Sequence, residues 1–330
     1  MQKKAFNIGV DVSKKTLDVF CFETSTHIKI QNDSTGFKSF LKFCKEQFID
    51  LTKAIVVLEY TGGYEYRFLH FCEAKNIDYC RVPGINIKRS IGVTRGKADK
   101  VDSQRIAQFA EEKYKSLEVS KSLNTSIIRV KELLNYRKRL VRESAGYKSS
   151  ISERKHMFEL SNNDLIINSF ERKLGANQKE IELVEAEIES IFENDHEMKR
   201  NFNLITSVRG IGKVNAWMTI AYTENFTAFS DARKYAVYVG VVPFEHSSGT
   251  SIKGRSRVSH IANKELKQEL TQGARSAIQW DPEIKEYAAK LLEKKHYMVI
   301  VNNVKFKLIT RMFSVVKRGE KFVDNYKKIA

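Results

Sequence analysis

Asp11 closes the apolar segment Phe6-Asn7-Ile8-Gly9-Val10, and Glu59 closes the apolar run Ala54-Ile55-Val56-Val57-Leu58. Both segments read as strands, and the C-terminal ends of strands are where α/β sheets build their sites. Two carboxylates brought together there repel each other unless a cation separates them. Asp99 and Asp102 follow three residues apart, so a helix starting near them carries both on one face. Four carboxylates without His or Cys form an oxygen-only donor set, which suits Mg²⁺, with Mn²⁺ as a substitute. Two such ions about 3.5–4 Å apart are the usual arrangement for phosphodiester chemistry. Each acid also has a plainer use: Asp99 suits a helix N-cap, and Asp18 or Glu65 could replace a neighbour as ligand.

Lys88, Arg89, Arg95, Lys97, Lys100 and Arg105 surround the aspartate pair in sequence. Cations so close to a carboxylate cage suggest a phosphate backbone passing over it, or simple charge balance. Further along, Arg209-Gly210-Ile211-Gly212-Lys213 fits the turn of a helix-hairpin-helix, whose backbone N–H groups can hold a phosphate without reading sequence. A plain capping turn is the alternative. The polar run Ser247-Ser248-Gly249-Thr250-Ser251 leads into Lys253, Arg255 and Arg257. That pattern reads as a phosphate-binding loop, or as a serine nucleophile flanked by the positive charge its transition state needs.

These residues need scaffolding. Before Pro83 the text alternates strands and helices, with strands at Phe6–Val12, Thr16–Phe22, Ala54–Leu58 and Tyr79–Val82 and helices at Gly36–Gln47 and near Tyr64–Lys75. This predicts a mixed α/β domain with a central sheet. From Ser126 to about Arg200 the pattern turns helical and highly charged, with Leu174, Ile181 and Ile188 seven apart and Val184, Ile191 and Met198 likewise. A helical hairpin or coiled coil is expected. The last region reads as mostly α, with a Pro243-containing loop. The predicted division is 1–150, 151–200 and 201–330.

The 330 residues carry 57 Lys+Arg against 40 Asp+Glu, a net charge of +17. Residues 201–330 hold 22 basic and 11 acidic side chains. A field of that sign favours polyanions, nucleic acid first. No apolar run reaches the roughly 18 residues of a membrane span, and the opening Met1-Gln2-Lys3-Lys4 has no leader pattern. A cytoplasmic, nucleoid-associated protein is expected. Cys21, Cys44, Cys72 and Cys80 match neither a zinc site nor a disulfide framework and read as reduced core thiols.

The ordered motifs Gly9-Val10-Asp11-Val12-Ser13-Lys14, Glu59-Tyr60-Thr61-Gly62-Gly63-Tyr64 and Lys97-Ala98-Asp99-Lys100-Val101-Asp102 resemble the DEDD transposases of the IS one-ten family. That family includes the Piv/MooV DNA invertases and RNA-guided bridge recombinases. Gly210-Ile211-Gly212, Tyr238-Val239-Gly240-Val241-Val242-Pro243, Ser248-Gly249-Thr250-Ser251 and Asn263-Lys264-Glu265-Leu266 extend the likeness over nearly the whole chain. The resemblance implies a RuvC-like (ribonuclease H-like) N-terminal domain, a coiled-coil spacer and a helical C-terminal transposase domain supplying a serine nucleophile. It implies Asp11, Glu59, Asp99 and Asp102 as metal ligands and Ser248 as nucleophile, with Ser247 and Ser251 as fallbacks. It also implies DNA cut and rejoined through a serine linkage, with a noncoding bridge RNA as partner. Ala98, Ser103 and Val242 depart from the common pattern, and Val258–Asn263 is less basic and lacks the usual glycine; no matched catalytic group is lost.

With the acids and the serine in different predicted domains, a dimer or tetramer is expected. Two other readings compete. One is a RuvC-like nuclease or junction resolvase using metal-activated water, and the other is a non-catalytic nucleic-acid scaffold.

Overall fold

The computed structural model describes residues 3–60, 62–90, 99–120, 122–158, 164–248 and 252–323, with backbone alone at 99–100, 245–248 and 252–256. The chain forms two compact units, Met1–Leu123 and Asn124–Ala330.

The first unit is built on a five-stranded sheet in the order β3-β2-β1-β4-β5. Its strands are β1 (Phe6–Val12), β2 (Thr16–Cys21), β3 (Thr26–Gln31), β4 (Ala54–Glu59) and β5 (Tyr79–Val82). β1, β2 and β3 pair antiparallel, whereas β4 lies parallel to both β1 and β5. β4 is apolar on both sides because both sheet faces are covered, whereas β1 turns Ile8, Val10 and Val12 to one face and Asn7, Gly9 and Asp11 to the other. On one face Ile8, Val10, Val56 and Leu58 pack with Phe37 and Phe40 of α1 (Ser34–Glu46) and Phe68 of α2 (Tyr66–Ala74). On the other, Ile55, Val57 and Val82 pack with Ile87 of α3 (Gly84–Ser90) and with Ile106 and Phe109 of α4 (Asp99–Lys113). Asp33 starts α1 by accepting the Thr35 and Gly36 N–H groups. The mixed α/β expectation is met. β3, absent from the sequence reading, completes the edge, and its mostly part-exposed, polar side chains gave no strand signal.

In the second unit α5 (Thr125–Phe158) and α6 (Leu165–Glu193) pack along each other as a helical hairpin. The boundary expected near residue 150 therefore falls inside α5, a continuous helix whose buried Ile127, Val130, Leu133 and Leu134 join the second unit's core. The expected boundary near 200 falls inside α7 (His196–Ile205). The heptad reading needs one correction: Met198 does not continue the α6 seam, because α6 stops at Glu193 and Asp195 caps α7 by accepting the Met198 N–H.

The remaining elements are α8 (Lys213–Tyr222), α9 (Ala232–Val239), β6 (Pro243–Ser248), β7 (Ile252–Val258), α10 (Lys264–Trp280), α11 (Pro282–Leu292) and α12 (Tyr297–Arg318). Trp217, Tyr235 and the apolar face of α12 fill the core. The loop expected after Pro243 is instead an antiparallel hairpin, β6–β7. Among the described residues no helix is long and apolar enough to cross a membrane. All four cysteines are buried free thiols.

Candidate active site

Strand register decides which acids meet. Asp11 lies opposite Asp18 on β2, and Asp18 lies opposite Lys29 on β3. On the other side Gly9 pairs with Val57 and Val10 with Leu58, so Asp11 and Glu59 occupy the next rung, at the C-terminal edge of the parallel strands. Side chains alternate along a strand, so Asn7, Gly9, Asp11, Val57 and Glu59 share the face that α4 covers.

Three contacts fix the direction of α4 across that face. Asn7 Nδ2 donates to Glu111 Oε2 at 2.9 Å near the helix C-terminus. Gly9 faces Ala107 and Ser103 so closely that a Cβ there would lie 2.2 Å from the Ser103 carbonyl oxygen. The helix thus runs antiparallel to β1, and its first turn, with Asp99 and Asp102, lies at the Asp11 end of the strand. The side chain of Asp99 lies outside the described residues, but its backbone begins the helix. Glycine at position 9 lets the helix approach closely enough to deliver its aspartates.

The turn after Glu59 is also constructed. Gly62 and Gly63 take φ values of +73° and +115°, which L side chains rarely adopt. Glu65 Oε2 accepts the Gly63 N–H at 2.8 Å, while Glu65 Oε1 pairs with Arg81 Nη2 at 3.0 Å. The Arg81 guanidinium in turn lies 4.3 Å from the centre of the Tyr60 ring. Asn32, 5% exposed, donates from Nδ2 to the Ser13 carbonyl at 3.1 Å and the Tyr64 carbonyl at 2.9 Å. It ties the turn after Asp11 to the turn after Glu59. No sequence signal marked it, because its role comes from two carbonyls distant in the chain.

The acids divide by what neutralises them. Asp18, 4% exposed, is held by His27 Nε2 at 3.0 Å and Lys29 Nζ at 3.1 Å. Glu65, 1% exposed, has Arg81. Both carboxylates are held by internal contacts of the sheet unit. Asp102 carries an i,i+3 pair with Arg105 at 2.9 Å, which leaves the second Asp102 oxygen uncommitted to that pair. Among the described residues no cation pairs with the half-buried Glu59 carboxylate. It rests on Gly84, where a Cβ would come within 1.7 Å of Oε1. Among the described residues no group of three or more His, Cys, Asp or Glu side chains is arranged to hold a metal. With the Asp99 side chain outside them, the fit rests on donor chemistry: carboxylate oxygens at one sheet edge, one of them without a protein cation, suit a hard divalent ion.

Of the basic residues, Lys88 and Arg89 are exposed at the end of α3. Arg95 and Lys97 lie outside the described residues, as does the Lys100 side chain. In the second unit Gly210 takes φ +90° and lies against α10, where a Cβ would meet the Gly273 carbonyl oxygen at 2.5 Å. Its conformation thus serves helix packing. Gly212 caps α8 in open space. Lys213 bonds Glu189 Oε1 at 2.6 Å, and this contact raises the lysine pKa. Ser248 is the last residue of β6 and pairs with Ile252, the first of β7; Ser247 pairs with Lys253. The side chains of Ser247, Ser248, Lys253 and Arg255, and the whole of Ser251, lie outside the described residues. Arg257 is exposed on β7, opposite Phe244.

Comparison with known families gives two matches in chain order. Residues 8–154 match a family model described as a transposase, of the DEDD IS110 type. Residues 202–289 match the model for the transposase IS116/IS110/IS902 family. The first match extends past the compact unit into α5. A curated relative, an insertion element IS110 uncharacterized 43.6 kDa protein from Streptomyces coelicolor, is 28% identical over 124 residues. That alignment covers 38% of this chain and 29% of the relative, so the chain spans under a third of that relative's length.

Proposed function

We propose that this chain, which belongs to the IS116/IS110/IS902 family of transposases, is a divalent-metal-dependent DNA transposase that cuts and rejoins strands of an insertion element through a serine–DNA linkage. The observation that carries the reading is the adjacency of Asp11 and Glu59 at one sheet edge, with the first turn of α4 directed to that edge. A RuvC-like site needs that arrangement.

In this reading Asp11, Glu59, Asp99 and Asp102 hold Mg²⁺ or Mn²⁺, which supplies Lewis-acid neutralisation of charge on the reacting phosphate. Asn32 and the Glu65–Arg81 pair fix the two turns so that Asp11 and Glu59 keep their separation. Ser248, at the tip end of the β6–β7 hairpin, attacks a DNA phosphorus; the Oγ–P bond forms as the P–O bond to one strand breaks, and the proton leaves with the released hydroxyl. Attack by a second strand's hydroxyl reverses the step and restores the serine. Lys88, Arg89, Arg95, Lys97, Arg209, Lys253, Arg255 and Arg257 hold backbone phosphates, and Gly212, in open space at the start of α8, lets the backbone approach one. A dimer or tetramer is the assembly this proposal expects. A bridge RNA selecting the DNA, and a cytoplasmic site of action on the nucleoid, complete the proposal.

Trapping is the test. Purified protein, Mg²⁺, element-end DNA and the flanking transcript should give a denaturation-resistant adduct that disappears in Ser248→Ala. Cleavage without an adduct and unaffected by Ser248→Ala would replace this reading with the RuvC-like nuclease.

A further inference from the structure

Charge in the second unit's interior is unevenly compensated. Asp281, fully buried, is paired with Arg311 at 2.6 Å, as burial of a carboxylate requires. Lys305 on α12 is 3% exposed and has no such partner: its ammonium reaches Thr271 Oγ1 at 3.0 Å, and among the described residues no carboxylate pairs with it. Thr271 lies on α10 between Lys267 and Arg275, and the spacing of four residues on each side stacks all three on one face. Neither flanking cation is paired with a carboxylate among the described residues. Lys267 gives its Nζ to the Gly240 carbonyl at 2.8 Å. The acids of α10 turn elsewhere, Glu265 to Lys138, and Glu269 to a half-buried position near Arg137. Burial and the charges of Lys267 and Arg275 hold the Lys305 amine down at about 8.

Three converging cations and a hydroxyl, unopposed by acid, cost the free protein stability. We infer that Lys267, Thr271 and Arg275 of α10, with Lys305 of α12 beneath them, form an anion-binding site that takes a backbone phosphate of nucleic acid. Arg275 is exposed and Lys267 half-buried, so they form the mouth, and Lys305 supplies fixed charge from below. The site adjoins the root of the β6–β7 hairpin: Lys267 holds the Gly240 carbonyl, and Asn302 Nδ2 of α12 holds the Val241 carbonyl at 2.7 Å, two residues before Pro243 opens β6. A phosphate bound here places nucleic acid beside the base of the proposed nucleophile's strand. The inference rests on the reading above for what carries the phosphate, and on the cation cluster for the site.

The experiment measures binding rather than cleavage, so it stands apart from the carboxylate site. Fluorescence anisotropy of the full chain with duplex DNA and with single-stranded RNA is followed across a salt series, with inorganic phosphate as competitor. Arg275→Gln and Lys305→Met should each weaken binding several-fold and lower the salt slope by about 1. Lys305→Met should melt at or above the wild-type temperature, since it removes a buried uncompensated charge. Loss with DNA assigns the phosphate to DNA, and loss with RNA alone assigns it to RNA. Unchanged affinity and slope in both variants would overturn the proposal, as would lowered melting with normal binding in Lys305→Met, the behaviour of a structural lysine. Protection by inorganic phosphate with no change toward either nucleic acid would also overturn it.

Discussion

The two compact units treat buried charge in opposite ways. In the sheet unit, buried carboxylates acquire protein cations, Asp18 from Lys29 and Glu65 from Arg81, while Glu59 at the sheet edge acquires none among the described residues. In the helical unit the buried carboxylate Asp281 has Arg311, while the buried cation Lys305 meets a hydroxyl and, among the described residues, no carboxylate. Compensated charges hold each fold together, and the uncompensated ones have opposite signs. Among the described residues, Glu59 at a strand edge has no protein cation and Lys305 under a helix face has no carboxylate. A divalent metal and a nucleic-acid phosphate are the partners that meet those two deficits.

The comparison breaks most readily at the acids. Asp11→Asn or Glu59→Gln should reduce DNA cleavage by about a thousandfold or more, the scale of the several kcal/mol a metal supplies, with DNA binding retained; quantitative gel assays of cleavage and binding check this. Removing a cation should then have different consequences in the two units. Arg81→Met strands the buried Glu65 carboxylate and should cost about 3–5 kcal/mol in urea denaturation, whereas Lys305→Met should cost nothing. A smaller effect is expected at Gly84, where an added methyl would meet the Glu59 carboxylate. Gly84→Ala should raise the half-saturating Mg²⁺ concentration for cleavage roughly tenfold, as disturbing a ligand's support does. The smallest effect is on pH dependence. The Lys305 amine falls from 10.5 to about 8 on folding, so the unfolded chain binds more protons between those values and stability rises with pH across that window. Thermal melts over that range should show the rise in wild type and a flatter profile in Lys305→Met.

Much of the sheet unit was legible in the sequence. The runs at Phe6–Val12 and Ala54–Leu58 form adjacent parallel strands with Asp11 and Glu59 near their C-terminal ends, because a strand covered on both faces is made largely of apolar residues. The aspartates three apart do begin a helix. Features settled by pairing were hidden. The polar edge strand β3 and the serine-bearing hairpin β6–β7 carry no hydrophobic alternation strong enough to announce them, and the hairpin read as a loop. Asn32 and Gly84 owe their importance to neighbours remote in sequence. Gly210 signalled a phosphate turn in the sequence, but its backbone conformation answers to the close approach of Gly273. Lys305 looked like one basic residue in a basic segment, since sequence cannot say which lysines lack a carboxylate in the fold.

Direct metal binding is the sharpest test of the account. Electron paramagnetic resonance of Mn²⁺ titrated into the full chain should show saturable binding in wild type, sharply weakened in Asp11→Asn and in Glu59→Gln, and unchanged in Asp18→Asn variants that remain folded. Equal Mn²⁺ binding by wild type, Asp11→Asn and Glu59→Gln would contradict the assignment of the strand-end acids to a metal.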